Sequence, residues 1–219
     1  FAIHLKDKLH LILGFSAGAV LAVALFDLLP ESIDSVGATY DIRLVMLLVA
    51  LGFSFYLLVD RSFSLHMHEH ENGTHPHSGK LGATALTFHS YLDGLGIGLA
   101  FKVSPSIGWV VAIAVLTHDF SDGINTVGMI LQSRGERKEA FRWLTADALA
   151  PAAGVITTLF FSVSETSLGL VLAVFAGLFL YIGASHLIPE SHHHHPTIWT
   201  SIMTIVGIAV LYTAIRFAG

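Results

Sequence analysis

The residues best equipped for chemistry fall in two short runs of the same design. One reads His89-Ser90-Tyr91-Leu92-Asp93-Gly94 and the other His118-Asp119-Phe120-Ser121-Asp122-Gly123. In each, a histidine precedes an aspartate by four positions, and on a helix such residues stand nearly one above the other on one face. His89 and Asp93 can therefore address a common point, as can His118 and Asp122. Two imidazoles and two carboxylates suit a borderline divalent cation such as Zn2+, Fe2+, Mn2+ or Co2+. Asp119 adjoins His118 and is either a further ligand or a group that orients one. Ser90 holds the equivalent place in the first run and is a weaker donor. The chain has no cysteine, so neither thiolate nor disulfide takes part.

Both runs lie inside apolar stretches. Of 219 residues, 53% are hydrophobic and 12% charged, about half the charged fraction of a soluble domain. So little polar surface cannot cover a soluble globule, and the composition predicts an all-α, polytopic membrane helix bundle. A hydrocarbon core of about 30 Å takes about 20 helical residues. Seven segments qualify, at about 9–29, 42–59, 82–102, 107–131, 141–162, 168–189 and 197–217. They form one transmembrane domain, with a polar loop over 60–81 joining the second segment to the third. The two runs sit on the third and fourth segments. Ionisable groups at that depth are costly and rarely face lipid, so the runs read as two halves of one site. Gly94 and Gly123 follow the acids and are expected to let these two segments approach closely. The expected partners are a divalent metal ion, the lipid bilayer and a second copy of the chain as a homodimer; no nucleic-acid partner is expected.

Lys and Arg in short loops set the orientation. The N-terminus and the loops after the second, fourth and sixth segments carry Lys6, Lys8, Arg61, Lys80, Arg134, Arg137, Lys138 and Arg142. The opposite side has Arg43, Lys102 and Arg216. The first side is expected to be cytoplasmic and the C-terminus outside. The cytoplasmic side then also holds the loop histidines His66, His68, His70, His75 and His77, and the internal run His192, His193, His194 and His195. Histidine-rich tracts of this kind bind metal. Small size and the lack of a soluble domain point to a prokaryotic inner membrane.

A wider repeat frames the central pair. Ala17-Gly18-x-x-Leu21 followed by Leu28-x-Pro30-Glu31-Ser32 returns as Ala176-Gly177-x-x-Leu180 followed by Leu187-x-Pro189-Glu190-Ser191. His186 stands where the first copy has Asp27. The first and sixth segments are five apart and the third and fourth one apart, so both repeats cross the membrane in opposite senses. Inverted repeats with a site at their interface are a layout of secondary transporters. The fifth segment has no counterpart ahead of the first, which predicts one more membrane helix before Phe1. Asp27 and Glu31, near the outer end of the first segment, are expected to line an entrance. His186 and Glu190, near the inner end of the sixth, are expected to line an exit. Asp147, at membrane depth in the fifth, is a candidate lining acid.

On these features the chain resembles the ZIP (Zrt/Irt-like protein) family of divalent metal transporters. The resemblance rests on the tandem histidine-bearing segments, the histidine-rich loop ahead of them, and the segment ends Leu28-Leu29-Pro30-Glu31 and Leu187-Ile188-Pro189-Glu190. It implies eight helices, inverted triplets around a central pair, with the seven visible segments matching the second to the eighth. It also implies a metal site between the third and fourth visible segments. His89, Ser90 and Asp93 match one family motif, and His118, Asp119 and Asp122 the other. The first motif commonly reads His-Asn-x-Pro-Glu-Gly; here Ser90, Leu92 and Asp93 replace the asparagine, proline and glutamate. Ser121 and Asp122 replace Pro-Glu in the second. Without those prolines both helices should run straighter. Ala150 precedes Pro151 where the family often has a Glu-Pro pair completing a two-metal site, so a single metal is expected.

With that resemblance, the expectation is a transporter and not an enzyme. It would move a divalent transition metal into the cytoplasm by alternating access, Zn2+ foremost, with Fe2+, Mn2+, Co2+ and Cd2+ as further cargoes. Two rivals stand beside it. One is a seven-helix membrane zinc hydrolase, in which metal-bound water is the nucleophile; the symmetry of the half-motifs weighs against it. The other is a metal sensor that binds without transport.

Overall fold

Among the described residues, helix follows helix. The computed structural model describes residues 2–37, 39–68, 76–192 and 197–218, with side chains over 10–37, 39–62, 79–192 and 197–217. The first helix, α1 (Ala2–Val23), passes through a wider π-helical turn (Ala24–Leu28) into α2 (Leu29–Val36). Gly37 ends it with a positive φ, 53°, which glycine adopts without steric cost. Then come α3 (Ile42–His68), α4 (Pro76–Val103), α5 (Pro105–Gln132) and α6 (Arg137–Thr158). The second repeat copy is α7 (Glu165–Tyr181), a π-helical turn (Ile182–Leu187) and α8 (Ile188–His192), and α9 (Ile198–Ala218) closes the chain. Ser104 separates α4 from α5: its backbone is extended and its side chain accepts the Ile107 N–H. Pro105 then takes the first helical position, where a missing N–H leaves nothing unsatisfied.

The structure bears out an all-α membrane bundle, with no strand among the described residues. Among the described residues, five helical stretches are long and apolar enough to span a membrane: His10–Val36, Ile42–Ser62, Pro105–Gln132, Glu165–His192 and Ile198–Phe217. The segments expected to span at 82–102 and 141–162 are helical within α4 and α6 but less apolar. They carry His89, Ser90 and Asp93 on α4 and Asp147 on α6. The expected loop over 60–81 is also partly helical, since α3 runs on to His68 and α4 starts at Pro76. A helix satisfies its own backbone, so it does not stop where the side chains turn polar.

The outer repeat has a physical counterpart. Both π-helical turns lie just ahead of the shared Pro-Glu-Ser. Leu29 N–H donates to the Ala24 carbonyl and Ile188 N–H to the Gly183 carbonyl, five residues back in each case. Pro30 and Pro189 have no N–H to offer and crowd the carbonyl four residues earlier, and the wider turn accommodates them. α1 packs on α9, the helix after the second copy, and α7 packs on α3, the helix after the first. The repeat glycines make those approaches close: a methyl on Gly18 would collide with the Thr204 carbonyl, and one on Gly177 with the Val49 carbonyl. These helices, with α2 and α8, form one group. The second group is α4, α5 and α6, which pack on each other, and α1 against α5 is the main seam between the two.

Candidate metal centre

α4 supplies His89 and Asp93, and α5 supplies His118, Asp119 and Asp122. Neither helix breaks at its motif, and neither carries a proline there. The pairing crosses between motifs. Nε2 of His118 lies 3.0 Å from Oδ2 of Asp93. Nε2 of His89 lies 3.3 Å from that same oxygen and 3.5 Å from Oδ2 of Asp122. Donor atoms of His89, Asp93 and His118 all fall within 4.8 Å of one another, as do those of His118, Asp119 and Asp122. His89, Asp93, His118 and Asp122 are buried, none more than 6% exposed. Asp119 is half-buried, with Oδ1 3.7 Å from Nε2 of His118. That oxygen and Oδ2 of Asp122 receive no hydrogen bond. Buried carboxylate oxygens without a donor are costly, and a cation among these five side chains would satisfy them.

Ser90 and Asp147 stand apart from this cluster. The Ser90 hydroxyl is bonded to the Leu86 carbonyl at 3.1 Å and to Oδ1 of Asp147 at 3.0 Å. The Thr126 hydroxyl lies 3.5 Å from the other carboxylate oxygen. With Asp119 and Gly123, the pair lines a cavity of about 540 Å³ bounded by α4, α5 and α6. Gly94 and Gly123 do not bring α4 and α5 together as expected. A methyl on Gly94 would collide with the Pro151 carbonyl of α6, and one on Gly123 would touch only Cδ1 of Leu144, also on α6, at 3.0 Å. Successive helical residues are turned by about 100°. With Asp93 facing α5, Gly94 is turned toward the third helix.

Three of the outlying candidates, Asp27, Glu31 and His186, border two other cavities. Asp27, in the first π-helical turn, is 6% exposed and its Oδ2 has no hydrogen-bond partner. It lines a cavity of about 200 Å³ with Glu31, Asp34, Ser104 and Ser106. Glu31 accepts a bond from the Ser35 hydroxyl. None of the cluster residues borders that cavity. His186, in the second π-helical turn, lies 3.6 Å from Oε2 of Glu190. Glu190 accepts the side-chain N–H of Asn125 at 2.7 Å. A cavity of about 60 Å³ joins His186 to Tyr56, Asp60 and His89. Of the histidine tracts, His66, His68, His70, His75, His77, His193, His194 and His195 lie outside the residues whose side chains are described. His192 is engaged within the fold. Its Nδ1 is 2.9 Å from the Ile188 carbonyl, and its Nε2 meets the Thr200 and Ser201 hydroxyls at 3.0 and 3.1 Å.

Sequence reasoning passed over Tyr56, Asp60, Asn125, Thr126 and Asp34. Two had a signal. Asn125 follows Asp122 by three positions, and Asp34 follows Asp27 by seven, so each shares a helical face with a residue already singled out. Tyr56 and Asp60 had none, because only the packing of α3 brings them to His89 and Tyr181.

Long apolar helices packed around a buried histidine–aspartate cluster, whose donor atoms lie close enough together to hold a metal ion, fit an integral membrane protein. A family model described as ZIP Zinc transporter matches residues 81–213, and the chain belongs to that family. It is a family of transporters, not enzymes, which removes the hydrolase reading. The chain is similar to zinc transporter ZupT of Corynebacterium aurimucosum, 27% identical over 219 residues, 91% of this chain and 82% of that protein. It is also similar to zinc transporter zipt-7.1 of Caenorhabditis briggsae, 26% identical over 241 residues, 83% of this chain and 62% of that protein. Zinc transporter ZIP9 of Xenopus tropicalis is 30% identical over 166 residues, 68% of this chain and 55% of that protein. The chain thus spans less than two thirds of the nematode and frog proteins.

Proposed function

We propose that the chain carries a divalent transition metal across the membrane, with Zn2+ as its first cargo. One observation carries this reading: Nε2 of two histidines and Oδ2 of two aspartates, from two different helices, converge in the buried interior. The zinc transporters among its relatives support Zn2+, and the donor set suits Fe2+, Mn2+, Co2+ and Cd2+ as well. His89, Asp93, His118 and Asp122 hold the metal, with Asp119 at the edge and Ser90 acting through Asp147. A single metal suits this set.

Transport runs by alternating access, with the α4–α6 group moving against the other helices. The metal collects at the acid cavity of Asp27, Glu31 and Asp34 and exchanges water for protein ligands at the cluster. It leaves past His186 and Glu190 toward the histidine-rich loop. The Lys and Arg bias supports placing that loop in the cytoplasm and the C-terminus outside, so net movement is inward. Binding needs neutral imidazole and ionised carboxylate, so protons arriving at the ligands favour release. The test is metal flux into vesicles. His118→Ala and Asp122→Ala are expected to abolish uptake while the protein stays folded; uptake equal to the parent in both sinks the site assignment.

A further inference from the structure

His89 and His118 present the same nitrogen to the cluster but are held differently. Nδ1 of His118 lies 3.3 Å from the carbonyl of Ala114, one turn back on its own helix. Nδ1 of His89 lies 2.7 Å from the hydroxyl of Tyr56, on α3, and α3 belongs to the other helix group. The tyrosine is itself braced. Its ring stands edge-on to the imidazole, centroids 5.5 Å apart at 76°, and rests against the Tyr181 ring at 5.3 Å. The Tyr181 hydroxyl donates to Oδ2 of Asp60 at 2.8 Å, and Asp60 lies one turn beyond Tyr56 on α3. The hydroxyl facing His89 is thus fixed by α3 and α7 together.

A histidine binds metal through a lone pair on one nitrogen and keeps its proton on the other, and the partner of that second nitrogen fixes ring orientation and tautomer. We infer that Tyr56 is a positioning residue for the metal site: it accepts the Nδ1 proton of His89 and so aims Nε2 at Asp93 and Asp122. This rests on His89 being a metal ligand. Of the two histidines, His89 takes its orientation from the group that carries no ligands. Metal affinity is then highest when the two groups are docked with Tyr56 against His89. It falls when they part, while His118 keeps its orientation throughout. One hydroxyl thereby ties the grip on the cargo to the relative position of the helix groups.

Tyr56→Phe removes that hydroxyl and leaves the ring. It is compared with the parent and with His89→Ala, using Co2+ as cargo because its visible bands report its ligands. His89→Ala is expected to change the Co2+ spectrum and abolish uptake. Tyr56→Phe is expected to weaken Co2+ affinity about tenfold, raise the half-saturating concentration for uptake by a similar factor, and keep the maximal rate. Parent-like affinity in Tyr56→Phe beside an impaired His89→Ala overturns the positioning role and leaves the metal site standing. A parent-like His89→Ala overturns the metal site itself. A measurement on the parent guards against misfolding of the variant: nitrogen NMR of the Zn2+-loaded, histidine-labelled protein. A proton on Nδ1 of His89 with metal on Nε2 supports the inference, and metal on Nδ1 overturns it.

Discussion

His118 of the second motif meets Asp93 of the first, at 3.0 Å between Nε2 and Oδ2. Within its own motif, His89 lies 3.3 Å from Asp93. Asp93 therefore lies within reach of both histidines, and the two motifs meet in one cluster.

Removing either side of that bond should then produce the same failure. His118→Ala and Asp93→Asn are each expected to eliminate saturable Zn2+ uptake, and the double variant to be no worse than either single one. Groups that share one network are non-additive in this way. Partial losses that add up in the double variant would mean two half-sites working separately.

A cargo that binds the folded protein must also stabilise it. At about a hundred times the dissociation constant the gain is about 2.7 kcal/mol. Zn2+ is expected to raise the melting temperature of the detergent-solubilised parent and to leave that of Asp122→Ala unchanged. Equal shifts in both, measured by thermal unfolding, would place the stabilising metal elsewhere.

The two motif glycines should respond unequally to a methyl group. Gly94→Ala drives a methyl into the Pro151 backbone carbonyl, which cannot swing aside, whereas Gly123→Ala meets the end of the Leu144 side chain. The first is expected to cost about 1–3 kcal/mol, as overpacking does, and the second much less. Equal melting temperatures for the two variants would contradict the close approach of α4 to α6.

At the cavity it shares with Glu31 and Asp34, Asp27→Asn keeps the shape of the side chain and removes the carboxylate. The half-saturating metal concentration is expected to rise several-fold with the maximal rate preserved, because collection weakens while the cluster stays whole. A fall in maximal rate at unchanged half-saturation, in initial-rate uptake assays, would contradict the proposed entrance role of Asp27 and assign it to the transport step.

The fold class was legible because apolar length and low charge leave few alternatives, and the clustering of His89, Asp93, His118 and Asp122 because four-residue spacing on a helix fixes a common face. Which helix a given face meets was not legible. Gly94 pointed to α5 by its position in the motif and meets α6 in the structure, because a third helix competes for the same side of α4. The reach of α3 to His68 was hidden for another reason: hydropathy marks where lipid ends, and the backbone continues regardless. Tyr56 stayed invisible because an aromatic on an apolar helix looks like packing until its hydroxyl is seen against an imidazole.

Each long repeat helix holds one residue more than a regular ladder of hydrogen bonds requires, and such a surplus rotates all that follows by about 100°. Pro30 follows Ala17, and Pro189 follows Ala176, by the same thirteen residues. The surplus therefore sits at the same place in both copies, and the two align to each other without a gap. If both halves descend from one ancestral segment, the insertion is older than the duplication. Any relative with a regular helix there would align to this chain only through a one-residue gap just ahead of the proline, and twice over.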